Sequence, residues 1–241
     1  MATTKKRNYS RPYMEKTIEV NSHFAILAME NYINRTMSSL YALDVILYYI
    51  ADESVANRAN EAVNELLKEK LDYCNKKIQE MTKDIEEKEL VSISGYTGSL
   101  TQDYRVYSPL GMKYLNLILK FDLIASLTHT LWFNDEDSID SSQNKKSLNK
   151  YHYHLKNISS AINNATRRSM VIAKSQGKEE EVLEAVKAVG AEEAFEPEAP
   201  LNDTSFGDGN EPDLEATKEA VNEHQVKEKS ACDIASAIGR F

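Results

Sequence analysis

Two cysteines, Cys74 and Cys232, are all that 241 residues provide. They lie far apart in segments of different character, so no disulfide framework is expected and a reducing compartment fits better. Glycine and proline are nearly as scarce, with 8 and 5 copies. Few breakers amid plentiful Leu, Ile, Ala, Glu and Lys argue against a sandwich or barrel and for helices. Long apolar runs are missing as well, so no membrane-spanning segment is expected. The first residues, Met1-Ala-Thr-Thr-Lys-Lys-Arg7, are basic but lead into no apolar stretch, so no secretory signal is expected either. The expected location is the cytoplasm.

Uniform charge is also lacking. The formal net charge is −9, yet residues 175–241 hold 17 acidic and 6 basic residues, a net of −11. Residues 1–174 hold the remaining 21 acidic and 23 basic residues, a net of +2. The two parts have opposite signs, and the whole-chain balance describes neither. No acid lies between Asp140 and Glu179, where Lys145, Lys146, Lys150, Lys156, Arg167, Arg168 and Lys174 fall. A second acid-free stretch holds Lys5, Lys6, Arg7 and Arg11. Such patches are what phosphate binding needs, although a solvated helix face gives the same pattern.

The periodicity predicts residues 1–15 as a flexible basic arm, a short strand at Thr17–Val20, and a buried helix from His23 to Ile50 capped by Asn21 or Ser22. A longer helix follows from about Val55 to Glu89. Its Val63, Leu67, Leu71, Cys74, Ile78, Met81 and Ile85 form a nearly heptad seam. That seam can pack within the chain or form a coiled coil, and the pattern does not choose. Leu90–Ser94 and Thr101–Tyr107, joined across Gly95-Tyr-Thr-Gly98, read as a β-hairpin. Ser108-Pro109 opens a helix to Phe133, with Ser as cap and Pro as first helical residue. Ser141 or Ser142 caps a last helix from Gln143 to about Ala173. No internal repeat stands out. Beyond Gly177 the chain is too acidic and too broken by Pro and Gly to fold alone, so 175–241 is expected to be a disordered tail.

Catalytic constellations are missing. Gly95–Gly98 lacks the Gly-Lys-Ser/Thr ending of a phosphate loop. Asp135, Asp137 and Asp140 begin like a calcium loop, but Asp140 stands where Gly is required and Lys146 where Glu is. His152 and His154, two apart on a helix, diverge and make a poor metal pair. No enzyme activity, metal or cofactor is expected.

What remains is a basic arm, helices, and a strand followed at once by two helices. That is the order of a ribbon-helix-helix unit, whose paired strands read the DNA major groove while a helix N-terminus holds a phosphate. The fold class is therefore mainly α with a short β-hairpin or ribbon: a helical domain over 16–174 containing a ribbon-helix-helix-like unit at about 101–173. Tyr104 and Val106 would face inward. Thr101, Asp103, Arg105 and Tyr107 would face out to read bases, with Arg105 the natural contact. Phosphates would be met by Lys5, Lys6, Arg7, Arg11, Ser142, Asn144, Lys145, Lys146, Lys150, Arg167 and Arg168. An ordinary hairpin packed on a helical core is the alternative, and spacing alone favours it, because the helix after the strand is longer than such units usually need.

The stretch from about Ala62 to Arg168 resembles the AcaB-like regulators of conjugative plasmids and integrating conjugative elements. The resemblance rests on the long charged helix Asn64–Glu89 and on Arg105-Val-Tyr-Ser-Pro-Leu-Gly-Met-Lys-Tyr114. Leu119-Lys-Phe-Asp122 with its following apolar helix, and Arg167-Arg168, add to it; Ile18–Ala25 fits more loosely. It implies a bacterial, sequence-specific, DNA-binding transcription regulator of conjugative transfer, an activator, with a fold related to ribbon-helix-helix proteins. The expected partners are double-stranded DNA, a second copy in a homodimer, and RNA polymerase or another transcription factor; no membrane is expected. The rival expectation is a non-catalytic structural or adaptor protein of the conjugation apparatus, binding a partner through the long helix.

Overall fold

A computed structural model describes residues 12–134 and 141–175, apart from the side chains of Tyr49, Ser141–Gln143 and Lys174. The acidic segment 176–241 and the basic residues Lys5, Lys6, Arg7 and Arg11 lie outside the described residues. The chain runs through β1 (Met14–Val20), α1 (His23–Asn31), α2 (Ile33–Tyr41), a π turn (Ala42–Ile46), α3 (Leu47–Ile50) and α4 (Glu53–Glu87). It continues with β2 (Leu100–Val106), α5 (Pro109–Phe133) and α6 (Ser141–Ser175). This is a mainly α fold with one two-stranded ribbon. Among the described residues no helix is long and apolar enough to cross a membrane.

The ribbon forms from strands far apart in sequence. β1 pairs antiparallel with β2, from Met14 opposite Val106 to Val20 opposite Leu100. The expected hairpin partner, Leu90–Ser94, is no strand. Its backbone is satisfied by side chains at the end of α5: Asn134 bridges both polar groups of Val91 (3.2 and 2.8 Å), and Thr130 accepts from Ile93. Pairing with β1 is favoured because both strands alternate, so Ile18 and Val20 join Tyr104 and Val106 on one buried face. Leu90–Ser94 has no such face; Val91 is 77% exposed. β1 also begins at Met14, inside the stretch expected to be a flexible arm.

A repeat invisible in the residues emerges from the packing. Each strand leads into a helical segment of similar length and then a 35-residue helix. Thr17 and Asp103, 86 residues apart, face each other at the centre of the ribbon. The same offset relates the caps Ser22 and Ser108. It also relates the buried Phe24, Ala25, Ala28 and Met29 to the buried Leu110, Gly111, Tyr114 and Leu115. The halves are interleaved: α4 packs mainly on α5, and α6 mainly on α1–α3. Two strand–helix–helix halves of one chain thus share a single ribbon.

Each half also holds the other's helix start. Asp122 of α5, 9% exposed, accepts hydrogen bonds from Asn21 N, Ser22 N (2.7 Å) and the Ser22 hydroxyl (2.5 Å) at the head of α1. Asp44 of the π turn accepts from Leu110 N (3.0 Å) in the first turn of α5. A carboxylate there meets the unpaired amides and the positive end of the helix dipole. Ser108 additionally accepts from Gly111 N, as its N-cap position predicts. Gly111 sits in a tight place, where a side chain fits only if its neighbours give by a few tenths of an ångström. A Cβ there would lie 3.0 Å from the Met37 methyl and 3.2 Å from Val106.

The α4 seam is filled within the chain: Val63, Leu67, Cys74, Met81 and Ile85 are all buried. Burial pushes the Cys74 thiol up to about 12, so it is a packing group, not a nucleophile. α4 ends in a left-handed residue, Glu89 (φ 52°), with Leu90 N bonded to Ile85 O and Glu89 N to Glu86 O.

Candidate nucleic-acid interface

Strand alternation separates the ribbon into two faces. With Ile18, Val20, Tyr104 and Val106 turned to the core, the outward face carries Glu15, Thr17 and Glu19 from β1 and Thr101, Asp103 and Arg105 from β2. The β2 residues expected outside are outside, and Tyr107 just beyond the strand is 38% exposed. The β1 residues were missed, although the alternation in Lys16–Val20 is their signal. They change the character of the face.

Three carboxylates stand there against one guanidinium. Thr17 donates to Asp103 (2.6 Å). Arg105 lies 3.5 Å from Glu15 and 5.0 Å above the Tyr13 ring. Tyr13, Tyr107 and Tyr41 make a chain of ring contacts (5.9 and 5.8 Å) at that end of the ribbon. An exposed ion pair and a surface cation–π contact each contribute no more than about 1 kcal/mol, so Arg105 is positioned but not locked. A face so composed offers hydrogen-bond donors from one guanidinium and acceptors from three carboxylates. Its field does not attract phosphate.

The attractive field belongs to α6. Lys145, Lys146, Lys150, Arg167 and Arg168 are all exposed on it, and the helix contains no acid. At 1.5 Å per residue, the Lys145–Lys146 pair and the Arg167–Arg168 pair are about 33 Å apart along the axis, so they make two contact points and not one cluster. Asn144 is the exception among the expected phosphate ligands. It is 7% exposed, and because α6 begins at Ser141, Asn144 lies a full turn inside, where its amide is turned into the helix. Ser142 lies in the first turn, where amides are unpaired; its side chain lies outside the described residues.

The histidines of α6 are core groups. His152 is buried and packs near Tyr32. His154 stacks on Phe121, and burial, with Lys150 and Lys70 nearby, lowers its pKa. Among the described residues no cluster of three or more His, Cys, Asp or Glu could hold a metal ion.

No protein-family model matches the sequence, and no curated protein does. Among solved structures, the chain is similar to the crystal structure of selenomethionine-containing AcaB from uropathogenic E. coli. The two are 26% identical with a TM-score of 0.69, and the match covers 78% of this chain and all of the AcaB chain.

Proposed function

We propose that this chain is a sequence-specific, DNA-binding transcription regulator, an activator of conjugative-transfer genes on a mobile element. The observation that carries the reading is the ribbon: two strands paired at the head of two interleaved strand–helix–helix halves, in a chain whose fold matches AcaB from end to end of AcaB. In this reading the ribbon enters the major groove, and Thr101, Asp103, Arg105, Glu15 and Glu19 select bases. The exposed cations of α6, with Lys5, Lys6, Arg7 and Arg11, hold the flanking backbone and supply most of the affinity. The acidic segment beyond residue 175 would contact RNA polymerase or another transcription factor. A homodimer is not needed to build the ribbon, so any second copy would dock through another surface. The adaptor reading loses support, because the apolar seam of α4 through which it would act is buried against the chain's own helices.

The test is fluorescence anisotropy of the full chain against duplexes tiled across the promoters of the host element, at several salt concentrations. A regulator binds one fragment far more tightly than the others, with a steep salt slope. Weak and equal binding to every fragment would overturn the reading.

A further inference from the structure

A groove of about 600 Å³ lies between α4 and α5, away from the outward face of the ribbon. Helical spacing builds it: Lys113, Asn116 and Lys120 lie on one side of α5, and Asn64, Lys68 and Asn75 line it from α4. From the ribbon, Lys16 donates to the lining residue Asn116 (2.7 Å). It leaves the strand on the parity of Ile18 and Val20, opposite to Glu15 and Glu19. Lys113 donates to Asn64. Three ammonium groups, those of Lys68, Lys113 and Lys120, therefore line one groove with Lys16 beside them on Asn116, and the single lining carboxylate is Asp72. Among the described residues none of the four is in an ion pair, and the two with visible partners lean on neutral carboxamides.

The fold does not require these charges. At the matching positions of the first half, 86 residues earlier, stand Leu27, Glu30 and Asn34 in place of Lys113, Asn116 and Lys120. The same helix face is thus cationic in one half only. Three lining ammonium groups against one carboxylate leave the groove net cationic and favour an anion in it. The walls say more. Leu71 and Leu119 give the groove an apolar part, and three carboxamides offer paired donors and acceptors beside it. Its volume falls in the range of small-molecule sites and far exceeds one phosphate.

We propose that the α4–α5 groove binds a small organic polyphosphate of the nucleoside polyphosphate class. Its phosphates would lie on Lys68, Lys113, Lys120 and Lys16, and its organic portion on Leu71 and Leu119. The ligand sits on the core side of the ribbon, against Asn116 and Lys16, so it can report to the strands from behind. The proposal stands whether or not the outward face binds DNA.

The experiment is titration calorimetry of the full chain with ATP, with inorganic tripolyphosphate, and with promoter duplex, in EDTA at physiological salt. ATP is expected to bind saturably at one site, at least about tenfold more tightly than tripolyphosphate. Lys113→Gln with Lys120→Gln should weaken ATP by about tenfold or more while duplex binding changes by less than about twofold. Lys145→Gln with Lys146→Gln should leave ATP binding unchanged. If the first pair lowers the unfolding midpoint, Lys68→Gln with Lys120→Gln replaces it. The absence of saturable ATP binding at low-millimolar concentration would overturn the proposal. So would tripolyphosphate binding as tightly as ATP with equal losses in both pairs of variants, the mark of charge adsorption. Loss of duplex binding in the groove variant, without ATP binding in the wild type, would make the groove part of a DNA path and end the proposal as well.

Discussion

The two halves of this molecule have the same scaffold and opposite surfaces. α4 and α6 are each 35 residues long and each packs on the other half's first helices. Yet α4 carries nine acids and six bases, whereas α6 carries seven bases and no acid. On the ribbon, Glu19 in one strand occupies the place of Arg105 in the other. Buried positions are held alike by packing, since both halves must fill one core at crystal-like density. Exposed positions are under no such restraint, and there the halves have been put to different uses: a cationic helix in one, a polar and acidic helix in the other.

The largest expected effect tests the shared scaffold. Asp122→Ala strands two buried donors of Ser22 and the part-buried Asn21 amide at the head of α1 and should cost about 3 kcal/mol, whereas Asp44→Ala, whose site is more exposed, should cost about half that. Urea midpoints check both, and equal losses would mean that the two caps are equivalent after all. Next comes the surface contrast. Lys145→Gln, Lys146→Gln and Lys150→Gln together should reduce DNA affinity by about 30-fold and flatten the salt slope by about three. Lys76→Gln with Lys77→Gln on α4 should change neither, and comparable losses from both helices would erase the distinction between the halves.

Within the ribbon, Arg105→Ala should cost about tenfold in preference for the best site over others. Glu19→Ala at the matching place should instead raise affinity for scrambled sequences by a few-fold, as a repulsive charge is removed, and gain less at the best site, where a base contact is lost with it. Anisotropy against matched and scrambled duplexes separates the two. A smaller effect concerns pH. His129 and His154 both belong to the second half, and burial lowers the pKa of each. Stability is therefore highest above the ordinary histidine value of 6.5. It falls as pH drops through that value, because the unfolded chain takes up protons that the folded chain refuses. His154→Gln should flatten this decline in urea midpoints, and an unaltered decline would place the acid sensitivity elsewhere.

Much of this was legible in the residues. Alternation marked Thr17–Val20 and Thr101–Tyr107 as strands, and Ser108-Pro109 announced the start of α5 correctly. The inward turn of Tyr104 and Val106 followed from parity alone. The wrong partner for β2 came from trusting a nearby turn signal over a distant strand. The chain does bend at Thr97, between Gly95 and Gly98, but the segment before them lacks an apolar face to match. The repeat escaped because it survives only in which positions are buried. Ala25 and Gly111, or Ala28 and Tyr114, share a place without sharing chemistry. The acidity of the ribbon's outer face was hidden for the same reason, since half of that face belongs to a strand some 80 residues upstream. The groove lysines were individually unremarkable, being spread over β1, α4 and α5, and only the packing of α4 on α5 assembles them.

Closing the ribbon inside one polypeptide has a consequence for how the molecule behaves and changes. A ribbon shared by two identical chains dissolves on dilution, and every substitution in it appears twice. Here Met14 and Val106 meet as parts of one molecule, so the ribbon's integrity is independent of concentration. A change in one strand is never mirrored in the other. The pair is free of the obligation to palindromy, and each strand can be tuned to its own side of whatever it touches.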